Sequence, residues 1–165
     1  MNWEAVGAVG EILGAIAVLV TLIYLAIQIK QHTFATRAVA NSAYAEAARE
    51  FNMAIANSPE LARVFANWPE NPADATPVDQ VLVLSAWRAV FQMWANGYRQ
   101  YRDGAIDPAI MTALRKEIST YSMGASDDPA LISRARMLEF AWSVERFIFE
   151  PSFQQFVDDL LAKPD

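Results

Sequence analysis

The sequence predicts an all-α protein: one N-terminal transmembrane helix, extended beyond the membrane, followed by a small helical bundle. Three observations lead there. The first is a 23-residue stretch, Ala5 to Ile27, whose only charge is Glu11. The second is a capping residue followed by proline, a helix-start signal that recurs along the rest of the chain. The third is the lack of any segment that alternates apolar and polar residues between hairpin turns. The composition agrees. The 165 residues are 54% hydrophobic and 19% charged, which is charge-poor beside the roughly 25% of an average soluble chain.

Twenty-three helical residues rise roughly 34 Å, enough for a hydrocarbon core of about 30 Å. A cleaved signal peptide would carry a positive start and a small-x-small cleavage site. This chain has Glu4 ahead of the span and YLAIQIKQHT at its end, so the reading is an uncleaved anchor over residues 1–29. Lys30 and Arg37 follow the span and no Lys or Arg precedes it. That asymmetry places the C-terminal region in the cytoplasm. Trp3 and Tyr24 suit the two membrane interfaces.

Gly7, Gly10, Glu11, Gly14, Ala17 and Thr21 recur at helical spacing and form one small or polar stripe. Gly10 and Gly14 are four apart, the small-xxx-small pattern that lets helix backbones approach closely in lipid. A carboxylate within the apolar zone is costly and faces protein or water. Glu11 therefore favours a helix-packing face on this side of the span.

No proline or glycine occurs from Ala15 to Asn57, so residues 30–57 are expected to continue the anchor as helix. The bundle is assigned to residues 58–165. Ser58-Pro59 begins a short helix to about Trp68, and Thr76-Pro77 a long one stopped at Asp103-Gly104. Asp107-Pro108 begins a third, to about Ser122 before Gly124. Asp128-Pro129 begins a fourth, to about Phe149, and Pro151 a last short one ending near Ala162. Pro69–Thr76 is the one long non-helical candidate. On the long helix Leu84, Trp87, Phe91, Trp94, Tyr98 and Tyr101 recur at three- and four-residue steps. Such a stripe is ordinarily core. Trp87, Phe91, Trp94, Tyr98 and Tyr101 are also the residues that could face a flat apolar ligand or a partner helix. On the fourth helix Leu131, Ala135, Leu138, Trp142 and Phe149 form a similar stripe.

Catalytic constellations are sparse. Thirteen Lys/Arg against nineteen Asp/Glu give a net charge of −6, the wrong sign for a nucleic-acid footprint. With no cysteine and only His32, thiolate sites and two-histidine metal motifs are excluded. His32 reads as a surface residue. Glu46/Glu50 reads as a solvated face, Asp127/Asp128 as a cap, and Asp158/Asp159 as the polar side of the last helix. Arginines 88, 99, 102, 134, 136 and 146 are expected in ordinary salt bridges with Glu139, Glu145 and Asp103. Gly97, alone inside the long helix, marks close packing or a kink. Neither catalytic residues nor cofactors are expected.

Trp3-Glu4-Ala5-Val6-Gly7-Ala8-Val9-Gly10-Glu11, the later run Thr21-Leu22-Ile23-Tyr24-Leu25-Ala26-Ile27-Gln28, and the pieces Ser58-Pro59-Glu60-Leu61-Ala62, Tyr98-Arg99-Gln100-Tyr101-Arg102-Asp103-Gly104 and Pro151-Ser152-Phe153-Gln154 carry a resemblance. The chain resembles a set of short uncharacterised bacterial proteins with one N-terminal membrane helix and a helical C-terminal region. The resemblance implies a bacterial inner-membrane protein and brings no active-site residues with it. The expected role is a non-enzymatic accessory or assembly subunit of a larger membrane complex. Its partners would be the lipid bilayer and other membrane helices, with a respiratory or photosynthetic complex as host, or a second copy of the chain. The alternative is a membrane-tethered binding module, with the aromatic helix holding an apolar ligand or a partner helix.

Overall fold

The computed structural model describes residues 3–121 and 128–162. Among them are six α-helices, two 3₁₀ turns and no strand. The helices are α1 (Trp3–Asn57), α2 (Pro59–Ala66), α3 (Pro77–Arg102), α4 (Pro108–Thr120), α5 (Pro129–Glu145) and α6 (Pro151–Ala162). The chain is all-α. It divides into two compact units, residues 1–39 and residues 40–165. The first is the apolar part of α1. In the second, residues 40–57 of α1 fold together with α2–α6, although their sequence reads as an extension of the anchor.

The helix starts follow from local chemistry. Ser58 Oγ accepts from the Leu61 N–H, Thr76 Oγ1 from Asp79 and Asp107 Oδ1 from Ala109, at 3.2, 3.1 and 2.8 Å. Each proline that follows occupies a position where no N–H is needed. The end of α3 is also local. Gly104 adopts φ +69°, its N–H donates to the Tyr101 carbonyl, and the Ala105 N–H donates to Gln100. That paired closure requires a residue that tolerates the left-handed region.

Two helix ends and one loop differ from expectation. α2 stops at Ala66, and Trp68 is buried beyond it. α5 stops at Glu145 and gives way to a 3₁₀ turn, Arg146–Ile148, rather than continuing to Phe149. Pro69–Thr76 contains a short 3₁₀ turn, Pro72–Asp74, capped by Asn71. α4 ends at Thr120; Ser122, Gly124 and Asp127 lie outside the described residues.

Within the second unit α3 runs through the core and packs against α2, α4 and α5, while α6 packs on α4. Phe91, Trp94, Leu114, Ile118, Met137, Leu138 and Phe153 are fully buried. Each apolar side chain taken from water contributes about 1.5–3 kcal/mol. The core is dense in rings. Phe91 meets Trp142 at 5.0 Å between centroids and Trp94 at 5.8 Å, and Tyr98 meets Phe156 at 4.8 Å. Gly97 serves close packing: a Cβ there would meet the Tyr44 ring at 3.0 Å.

Ion pairs fasten the outside. Arg88 holds the buried Glu145 through two hydrogen bonds, of 2.8 and 2.6 Å. Arg102 pairs with Glu150 and Arg136 with Glu70. Of the three acidic partners expected from sequence, Glu145 alone takes part among the described residues. Asp158 is more than part of a polar face, because it accepts from the Trp142 indole N–H at 2.8 Å and pairs with Arg146. Glu46 pairs with Arg49 on an exposed face.

Candidate functional site

Two features invite a functional reading, one in each unit. In the first unit one helix is long and apolar enough to cross a membrane, and none of that stretch is buried. Ile12, Leu13, Leu19, Leu22 and Ile23 all lie open. The small stripe lies open as well. A Cβ added at Gly7, Gly10 or Gly14 would meet nothing within 4 Å. Glu11 and Ala17 are exposed on the same helix. Thr21 donates its hydroxyl to the Ala17 carbonyl at 2.8 Å, which satisfies that donor within the helix itself. His32 is exposed and its carbonyl accepts from Thr36.

In the second unit the aromatic stripe of α3 divides. Phe91 and Trp94 are fully buried, Trp87 nearly so, and Tyr98 is half-buried between Phe153 and Phe156. Tyr101 is 40% exposed. It keeps the angular position of the stripe, seven residues on from Trp94, but sits in the last turn of α3 beyond the edge of the core.

Of these residues only Trp87 reaches a cavity of about 80 Å³ between residues 48–55 of α1 and helices α2, α3 and α5, with the end of α4 closing it. Its walls are rings: Phe65 stacks on Trp87 at 6.4 Å, Tyr121 meets Trp87 edge-on at 5.8 Å, and Phe51 meets Phe65 at 6.3 Å. Its polar groups are Asn52, Glu117, Tyr121 and Arg134.

Glu117 dominates the electrostatics. Burial pushes its carboxyl above the ordinary range, while the nearby Trp94 indole works in the opposite direction. That N–H does not reach hydrogen-bond geometry, and Glu117 has no ion-pair partner among the described residues. Tyr121 is raised by burial and by the Glu117 charge, and lowered by the positive charge of Arg134. Tyr44 is raised by burial and then by Glu117. The hydroxyl of Tyr44 and the indole N–H of Trp87 are buried without a hydrogen-bond partner among the described residues.

Sequence reasoning missed Glu117, although a signal was there. Leu114, Glu117 and Tyr121 are spaced three and four apart. The carboxylate therefore occupies a position of α4 where an apolar residue is expected.

The chain matches no protein-family model, no curated protein and no solved structure. No group of three or more His, Cys, Asp or Glu is disposed to hold a metal ion among the described residues.

Proposed function

We propose that this chain is a single-span protein of the bacterial inner membrane, with its helical bundle in the cytoplasm. In this reading it serves without catalysis as an accessory or assembly subunit of a larger membrane complex. The supporting observation is the open side of α1. A helix bare of cover along its apolar length suits lipid, and the unobstructed Gly7, Gly10 and Gly14 leave room for a second backbone. Glu11 on the same side favours a polar or charged neighbour over hydrocarbon.

Purification of the full chain in mild detergent, with mass spectrometry of what accompanies it, tests the role. A membrane protein at fixed stoichiometry is expected. Gly14→Leu should release that partner by separating the backbones, whereas Ile16→Leu, on the lipid side, should not. Recovery as a lone monomer, or equal loss from both variants, would overturn the reading.

A second reading, a membrane-tethered binding module, draws support from the ring-walled cavity beside Trp87. There the ligand position lies on the side of α3 that faces α1 and α2, instead of along the whole stripe to Tyr101.

A further inference from the structure

We propose that the cavity beside Trp87 binds a small organic ammonium ion, with its charge at the Glu117 carboxylate and its carbon body against the rings of Trp87, Phe65 and Tyr121. This inference rests on the binding-module reading and not on the accessory role. Its basis is complementarity. Aromatic faces carry negative potential and attract a cation that has been stripped of water. Phe65 lies nearly parallel to Trp87, at 15°, and Tyr121 nearly perpendicular to it, at 87°. The cavity is therefore walled by rings from three elements. Among the described residues Glu117 supplies the only carboxylate in the lining, half-buried and without an ion pair.

Among the described residues, the groups that interact electrostatically with that carboxylate are Tyr44 from α1, Trp94 from α3 and Tyr121 at the end of α4. None of them is a cation. Arg134, from α5, lies at the Tyr121 side. Tyr121 is influenced by both charges, and Arg134 makes no ion pair with Glu117 among the described residues. The Glu117 carboxylate is thus without an ion pair among the described residues, and a ligand ammonium would supply one. Size limits the ligand. At ~10–15 Å³ of such space per water, about 80 Å³ corresponds to roughly five to eight water-sized positions. An alkylammonium with a four-carbon chain suits it; a lipid does not.

The test uses the full chain in detergent micelles, labelled with ¹⁵N at the tryptophan indoles and titrated with butylammonium, butanol or butyrate. Butylammonium is expected to shift the Trp87 indole resonance saturably and to bind at least tenfold more tightly than either comparator. Its affinity should rise with pH as Glu117 ionises, and Glu117→Gln should remove the preference. Should that variant fail to fold, the same pH titration of the wild type with butylammonium and butanol decides. A pH-independent ratio between the two ligands would overturn the proposal. Equal binding of butanol and butylammonium would retain an apolar binding module and overturn the ammonium site. Preferential binding of butyrate would assign the cavity to Arg134 instead. Absence of any saturable shift would overturn both the site and the binding-module reading.

Discussion

Glu117 shows how one residue can set a pH dependence for the whole bundle. Its carboxyl is held above the ordinary value near 4.5, chiefly by burial, so folding favours the protonated form. A group raised in this way contributes stability that is complete below its unfolded pKa and is lost as pH rises through its folded pKa. The wild type should therefore lose melting temperature relative to Glu117→Gln as pH increases from about 4.5. Thermal unfolding of the two chains across that range measures the effect, and parallel profiles would contradict it. Asp79 works in the other sense, since its hydrogen bond from Arg63 lowers it. The comparison with the variant, rather than the raw profile, isolates Glu117. Gly97 makes a steric point at the same scale. With the Tyr44 ring 3.0 Å from where a Cβ would stand, any side chain there must push against that half-buried ring.

At the scale of elements, α3 organises the bundle through Phe91, whose ring touches Trp87 and Trp94 on its own helix, Trp142 on α5 and Phe149 beyond it. Phe91→Ala removes a fully buried ring and should cost about 3–5 kcal/mol. Against a typical total of ~5–15 kcal/mol, that predicts a clear fall in the melting temperature of the full chain in micelles, or loss of folded protein. An unchanged melting temperature would contradict this core role of Phe91. The sequence made the helix starts legible because a cap and its proline act within four residues: Ser58, Thr76 and Asp107 each accept the predicted kind of hydrogen bond. It did not reveal that α5 tightens into a 3₁₀ turn at Arg146, where nothing local breaks the helix. Nor did it reveal the cavity, which needs α1, α2, α3 and α5 together. Only Trp87 of the stripe belongs to it. Phe51, Phe65 and Tyr121 join it from distant parts of the chain.

For the whole molecule, the two units of the chain are built on opposite principles. The second unit buries an apolar core, whereas the large apolar residues of the first unit are exposed among the described residues. At about 25 cal/mol per Å², an open apolar helix of this length gains strongly from hydrocarbon. High salt or carbonate should therefore leave the intact chain in the membrane, and its release would refute the span. The proposed orientation rests on a different force. Lys30 and Arg37 stand after the apolar stretch and no basic residue stands before it, and short flanking segments rich in Lys and Arg are retained on the cytoplasmic side. Protease added to intact spheroplasts should then spare the bundle, and the same protease should cut it once the inner membrane is opened. Digestion of the bundle in intact spheroplasts would reverse the orientation while leaving the span itself untouched. Moving the basic charge tests the cause: Lys30→Gln with Arg37→Gln, combined with Asn2→Lys and Glu4→Lys, should shift a fraction of the chains to the protease-sensitive orientation.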